Sequence, residues 1–232
     1  MDDGNGARPA AAADSDASHD LRRRAWWIAV AVAAASLALL SWLLARLLWL
    51  PFYFGLFFFL VAGLLGGGIS FRFGRPARPV AAGRIVRGIS LAVLVCGFFT
   101  LYCEYQYFAE TVGDEPKFPA ARNAAVAAGR SPNEVRSLAA AEFKSRLRTD
   151  HPPGGPPGYV LWTIGSAEME LTVAGETERI SNSPRGLLWS ARTLMALLLA
   201  AAGLWASLES LRWTSPVSNI IAPGEEAEAE ET

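Results

Sequence analysis

Histidine and cysteine are scarce in this chain, with two of each in 232 residues. His19 and His151 lie far apart, and His151 stands between Asp150 and two prolines, so no paired-histidine metal or base pattern arises. Cys96 and Cys103 are seven residues apart, roughly 10 Å along the axis of one helix. A disulfide needs Cα atoms within about 7 Å, so the two cannot bridge there, and neither CxxC nor zinc spacing occurs. HExxH and GxSxG are missing as well. The run GGGISFR lacks the Gly-Lys-Ser/Thr ending of a phosphate loop. No basic-aromatic face points to nucleic acid. These gaps leave no residue to nominate as catalytic, cofactor-binding or metal-ligating, and no cofactor is expected. Lysine is equally scarce: arginine outnumbers it 19 to 2, the bias of a GC-rich, bacterial coding sequence.

What the chain does have is apolar length. Hydrophobic residues make up 52% of it, and they are clustered. Four blocks reach the roughly 20 residues needed to cross a hydrocarbon core. The first, about 25–45, follows Arg22, Arg23 and Arg24, with Trp26, Trp27 and Trp42 near its edges, where tryptophan favours the headgroup level. It is longer than the apolar part of a secretory leader and is expected to stay as a signal-anchor helix. Arg46 marks a tight turn into the second block, about 47–70, with Pro51 in its first turn. The third covers about 89–108 and the fourth 187–208. The ends read as polar tails: 1–24 as a disordered segment and 209–232 as an acidic one.

Arginine sets the expected direction. Positive residues in short loops stay on the cytoplasmic side of a membrane. Arg22–Arg24 and the five arginines Arg72, Arg75, Arg78, Arg84 and Arg87 fall on one side after two crossings. Both termini are therefore expected in the cytoplasm and residues 109–186 outside, at the inner membrane of the cell. The same five arginines are candidates for contact with lipid headgroups.

Between blocks three and four lies a polar region. SPNEVRSLAAAEFKSRL opens like a capped helix, with Ser131 as cap, Pro132 in the first position and Glu134 closing a capping box. Val135, Leu138, Ala139, Phe143 and Leu147 follow at helical spacing. HPPGGPPG, 151–158, reads as an extended connector, and YVLWTIG as a strand. AEMELTV and TERI, joined at Ala174-Gly175-Glu176, read as a hairpin. The fold class is thus an α-helical integral membrane protein with four transmembrane helices and a small extracytoplasmic α+β domain between helices 3 and 4.

Two charged residues interrupt the apolar blocks at matching depth. Glu104 is four residues from the end of block three, roughly 6 Å inside. Arg192 is five residues into block four, roughly 7 Å inside. An unpaired charge at a span's centre costs about 2.5–3.5 kcal/mol on insertion scales, so an intramembrane ion pair is expected. Gly63 and Gly67 stand at GxxxG spacing and are candidates for close helix packing, as are Ala29–Ala33 and Ala196–Ala200.

The functional expectation is a non-enzymatic accessory, assembly or sensor-like subunit of an envelope complex. Its partners would be the lipid bilayer and other membrane subunits or further copies of itself. The alternatives are a small oligomeric transporter or channel with Glu104 and Arg192 near an outer gate, and a membrane-edge enzyme.

Overall fold

The computed structural model describes residues 8–47, 52–114, 119–182 and 186–213. Seven α-helices and one two-stranded sheet follow in order. The long helices are α1 (Arg8–Leu47), α2 (Phe52–Gly74), α3 (Ala82–Thr111) and α7 (Gly186–Leu208). Between α3 and α7 come α4 (Pro119–Ala127), α5 (Pro132–Asp150), α6 (Gly155–Ile164), β1 (Glu168–Val173) and β2 (Glu176–Ser181).

Four segments are long and apolar enough to cross a membrane: His19–Arg46, Gly55–Ala77, Ala82–Thr111 and Gly186–Arg212. They form one bundle in which α2 packs chiefly on α7, and α1 on both α2 and α3. Its core includes Trp26, Leu37, Leu44, Phe59, Ile85, Cys96, Ala200 and Leu204. The outward faces are apolar too. Leu39, Leu94, Phe98, Leu187 and Leu198 are all exposed. A soluble bundle presents polar residues there, because large contiguous apolar surface in water is a liability.

The third long helix has 30 residues, roughly 45 Å, and so exceeds a hydrocarbon core of about 30 Å. Its last turns leave the bundle and become the spine of a second core. Tyr105, Phe108, Ala109 and Val112 of α3 pack with Val135, Ala139, Phe143 and Leu147 of α5 and with Tyr159 and Trp162 of α6. Phe108 lies between Phe143, Tyr159 and Trp162, with ring centroids 5.2–5.8 Å apart. Such tilted arrangements are the favoured aromatic geometry. The sheet closes this core with one face: Met169, Leu171 and Val173 of β1 and Ile180 of β2 are buried. Glu170 and Thr172 alternate outward.

The local signals of this outer part are largely as the sequence predicts. Ser131 accepts from the Glu134 amide while the Glu134 carboxylate accepts from the Ser131 amide, and Pro132 opens α5. Val135, Ala139, Phe143 and Leu147 are buried, whereas Leu138 is exposed. The strands pair antiparallel, with Val173 opposite Glu176. The two-residue turn between them, Ala174-Gly175, has φ of 55° and 86°, the left-handed geometry of tight hairpins.

Three expectations differ from the structure. Residues 151–158 are not an extended connector: α6 begins at Gly155, with Pro156 and Pro157 in its first turn, where a missing amide hydrogen costs little. Gly154, at φ 77°, makes the entry, and a Cβ there would come within 2.8 Å of Arg148 Cα. YVLWTIG is therefore helix rather than strand. Tyr159, Trp162 and Thr163 share one buried face at spacing i, i+3, i+4, and a run this short fits both periods. Finally, α1 starts at Arg8, so most of the segment read as a disordered tail is helical backbone. It is rich in alanine, the best helix former, and extends a helix already nucleated by the apolar block. Arg46, expected to mark a tight turn, is still in the last turn of α1, which runs to Leu47; positions 48–51, with Pro51, and most of the acidic tail, 214–232, lie outside the described residues.

Candidate functional site

The two cores meet at Glu104. It lies on the face of α3 between Thr100, which Cys96 contacts through its sulfur in the bundle, and Phe108 in the outer core. It is 4% exposed. A carboxylate in such a place must find hydrogen-bond donors, since an isolated buried charge is very costly. Its Oε1 accepts from the indole Nε1–H of Trp189 at 2.9 Å and from the Tyr159 hydroxyl at 3.2 Å. Trp189 stands at the start of α7 and Tyr159 in the first half of α6. The Tyr159 oxygen in turn accepts from Asn182 Nδ2 at 2.9 Å, just after β2. One carboxylate oxygen thus gathers groups from α3, α6, α7 and the end of the hairpin.

The rest of the network is incompletely satisfied. Glu104 Oε2 and Asn182 Oδ1 are buried without a hydrogen-bond partner among the described residues. Arg192, 8% exposed, is on the same face of α7 as Trp189, three residues further on, and its charge and that of Glu104 act on one another. Tyr159 is wholly buried. Burial pushes its hydroxyl well above the usual tyrosine value, and the adjacent Glu104 charge pushes the same way. It therefore stays a proton donor throughout the neutral range.

The other nominated residues fall elsewhere. Gly63 and Gly67 lie in the α2–α7 seam. A Cβ at Gly63 would collide with the Ala200 carbonyl oxygen, and one at Gly67 would come 2.6 Å from Ser207 Cβ. Gly203 faces them from α7, where a Cβ would lie 2.5 Å from the Leu60 carbonyl oxygen. Arg72 closes α2, and Arg75 and Arg78 flank a short 3-10 turn with guanidinium groups 5.1 and 4.9 Å from the Phe71 ring centre. Arg84 and Arg87 are in the first two turns of α3 rather than in a loop. His151 terminates α5, its amide bonding Leu147. Cys96 and Cys103 are both free thiols.

Tyr159, Asn182 and Trp189 were not legible as partners of Glu104. The one available signal is Trp189, an indole donor one turn from Arg192. For Tyr159, 55 residues from Glu104, and Asn182, a further 23 along the chain, no local pattern exists.

No protein-family model matches the chain, and no curated protein or solved structure is significantly similar to it. The fold itself defines the class: four membrane-length apolar helices bearing a small α+β cap built around the end of the third.

Proposed function

We propose that this chain is a polytopic membrane protein that crosses the inner membrane four times, with both termini in the cytoplasm and residues 109–186 outside. In this reading it is a non-enzymatic accessory, assembly or sensor-like subunit of an envelope complex. The observation that carries it is the Glu104 junction. A single carboxylate on α3 holds Tyr159 of the cap and Trp189 of α7, so the cap cannot shift without disturbing two of the long helices. Such a junction suits a part that reports or fixes the position of a partner at the outer face. Glu104 and Arg192 would complete it electrostatically, as an intramembrane pair.

Reporter fusions test the membrane part: alkaline phosphatase joined after Asp150 is active and a fluorescent protein joined after Arg78 is bright. The reverse pattern would sink the orientation. Photo-crosslinkers at exposed cap positions such as Arg146 and Arg130 test the role. Adducts of one defined mass in intact cells, weakened by Tyr159→Phe, are expected. A lone monomer at every cap position would remove the accessory reading.

The transport reading retains one specific support, the buried and singly unpartnered oxygen of Glu104. Ion flux through purified protein in vesicles, abolished by Glu104→Gln in a folded variant, would favour it over the accessory role.

A further inference from the structure

Three arginines of the outer cap have carboxylate partners. Arg136 pairs with Asp114, Arg146 with Glu142 and Arg179 with Glu168. At the opposite end of the bundle the pattern changes. A cavity of about 310 Å³ opens between α1 and α3, lined by His19, Arg23, Trp26, Trp27, Arg84 and Arg87. Among the described residues, none of its three guanidinium groups lies within 4.0 Å of a carboxylate and no acidic side chain lines the cavity. Three clustered cations on two separate helices repel one another unless an anion joins them.

The cavity is also built rather than incidental. Trp26 is 4% exposed and forms its inner wall. It is held there by the close approach of α3: a Cβ on Gly88 would come 2.7 Å from the Trp26 ring and 2.7 Å from Val30. Its volume is at the lower end of the roughly 300–1,000 Å³ range of small-ligand sites. Its rim includes the indole of Trp27, which is half exposed. A free anion has no use for that rim, whereas a phosphate carrying acyl chains does.

We propose that this cavity is a binding site for the phosphate of an anionic phospholipid. Arg23 of α1 and Arg84 and Arg87 of α3 clasp the headgroup, planar donors suited to phosphate oxygens. Trp27 lies along the glycerol and upper acyl chains, in the headgroup zone that tryptophan favours. The lipid thereby cross-links α1 and α3 at the cytoplasmic surface. The inference rests on the four helices crossing a bilayer and not on the role of the cap.

Native mass spectrometry of the full-length protein in neutral detergent, titrated with phosphatidylglycerol or phosphatidylcholine, reads the site directly. One phosphatidylglycerol is expected to bind in clear preference to phosphatidylcholine. Arg84→Gln with Arg87→Gln should weaken it roughly 30-fold, from the loss of two surface cations. Arg84→Lys with Arg87→Lys should keep most of the affinity, and Arg130→Gln, on the cap, should leave it unchanged. If the glutamine pair fails to fold, Arg23→Gln, on an exposed stretch of α1, is read in its place. Equal binding of the two lipids, or undiminished binding by a folded glutamine variant, would overturn the proposal. So would saturation of the site by inorganic phosphate with no retention of phosphatidylglycerol, which would mark a soluble ligand. A chain that stays in solution without detergent would instead overturn the membrane reading itself.

Discussion

Replacing Tyr159 by phenylalanine removes one oxygen and leaves the ring, so it isolates the Glu104 junction from the aromatic packing around it. That oxygen donates to Glu104 at 3.2 Å and accepts from Asn182 at 2.9 Å. A hydrogen bond to a charged group contributes about 1.5–3 kcal/mol and a neutral one about 1 kcal/mol. The longer bond belongs at the low end of its range. The loss leaves Asn182 buried with both polar atoms unsatisfied, since Oδ1 already lacks a hydrogen-bond partner among the described residues. We expect a destabilisation of about 2–3 kcal/mol. For a chain this long that is a fall in melting temperature of roughly 4–12 °C. Thermal unfolding in mild detergent, followed by tryptophan fluorescence, measures it, and Trp162 and Trp189 both stand beside the site. The sharper assay is a double-mutant cycle of Tyr159→Phe with Glu104→Gln. The two residues touch, so their effects should miss additivity by about 1 kcal/mol. Additivity within about 0.3 kcal/mol, or a single-mutant cost below about 0.5 kcal/mol, would refute the claim that this contact ties the cap to the helices.

The same hydroxyl gives a pH prediction with a definite sign. Its folded value is raised above the unfolded value of about 10, so its contribution is complete below that pH and is lost as pH climbs beyond it. Unfolding of the wild type at alkaline pH should therefore steepen above pH of about 10, and Tyr159→Phe should remove that component. In the α2–α7 seam, Gly203→Val puts a side chain against the Leu60 carbonyl oxygen and the Leu64 amide, both rigid backbone. Overpacking of at least about 1–3 kcal/mol is expected, seen as a lower melting temperature. Gly68→Ala, with nothing within 4 Å of the added carbon, is expected to be neutral or to stabilise by up to about 1 kcal/mol in the same assay. Ser131→Ala removes the cap of α5 and should cost about 1 kcal/mol, with hydrogen exchange accelerating over the first turn of that helix.

The residues of the chain determine its solvent before its fold. Four apolar runs, their flanking arginines and the capping box at Ser131 are local features, each complete within one helix length or one turn, so each is legible without knowing what lies opposite. The alternation of Met169, Leu171 and Val173 is legible for the same reason. HPPGGPPGYVLWTIG was misread because prolines in a helix's first turn look identical to prolines in a connector, and a short apolar run satisfies both periods.

The tertiary structure decided three further matters. It carried α3 past the end of the bundle, so that Phe108 became the centre of the cap rather than the edge of a span. It brought Tyr159 and Trp189, far apart in the chain, to one oxygen of Glu104, a convergence that no local pattern announces. And it drew Arg23 next to Arg84 and Arg87, turning arginines that read as a topological signal into the wall of a cavity. The physical reason is common to all three. Helix formation depends on neighbours a few residues away, whereas burial of a charge depends on which distant side chains the packing delivers to it.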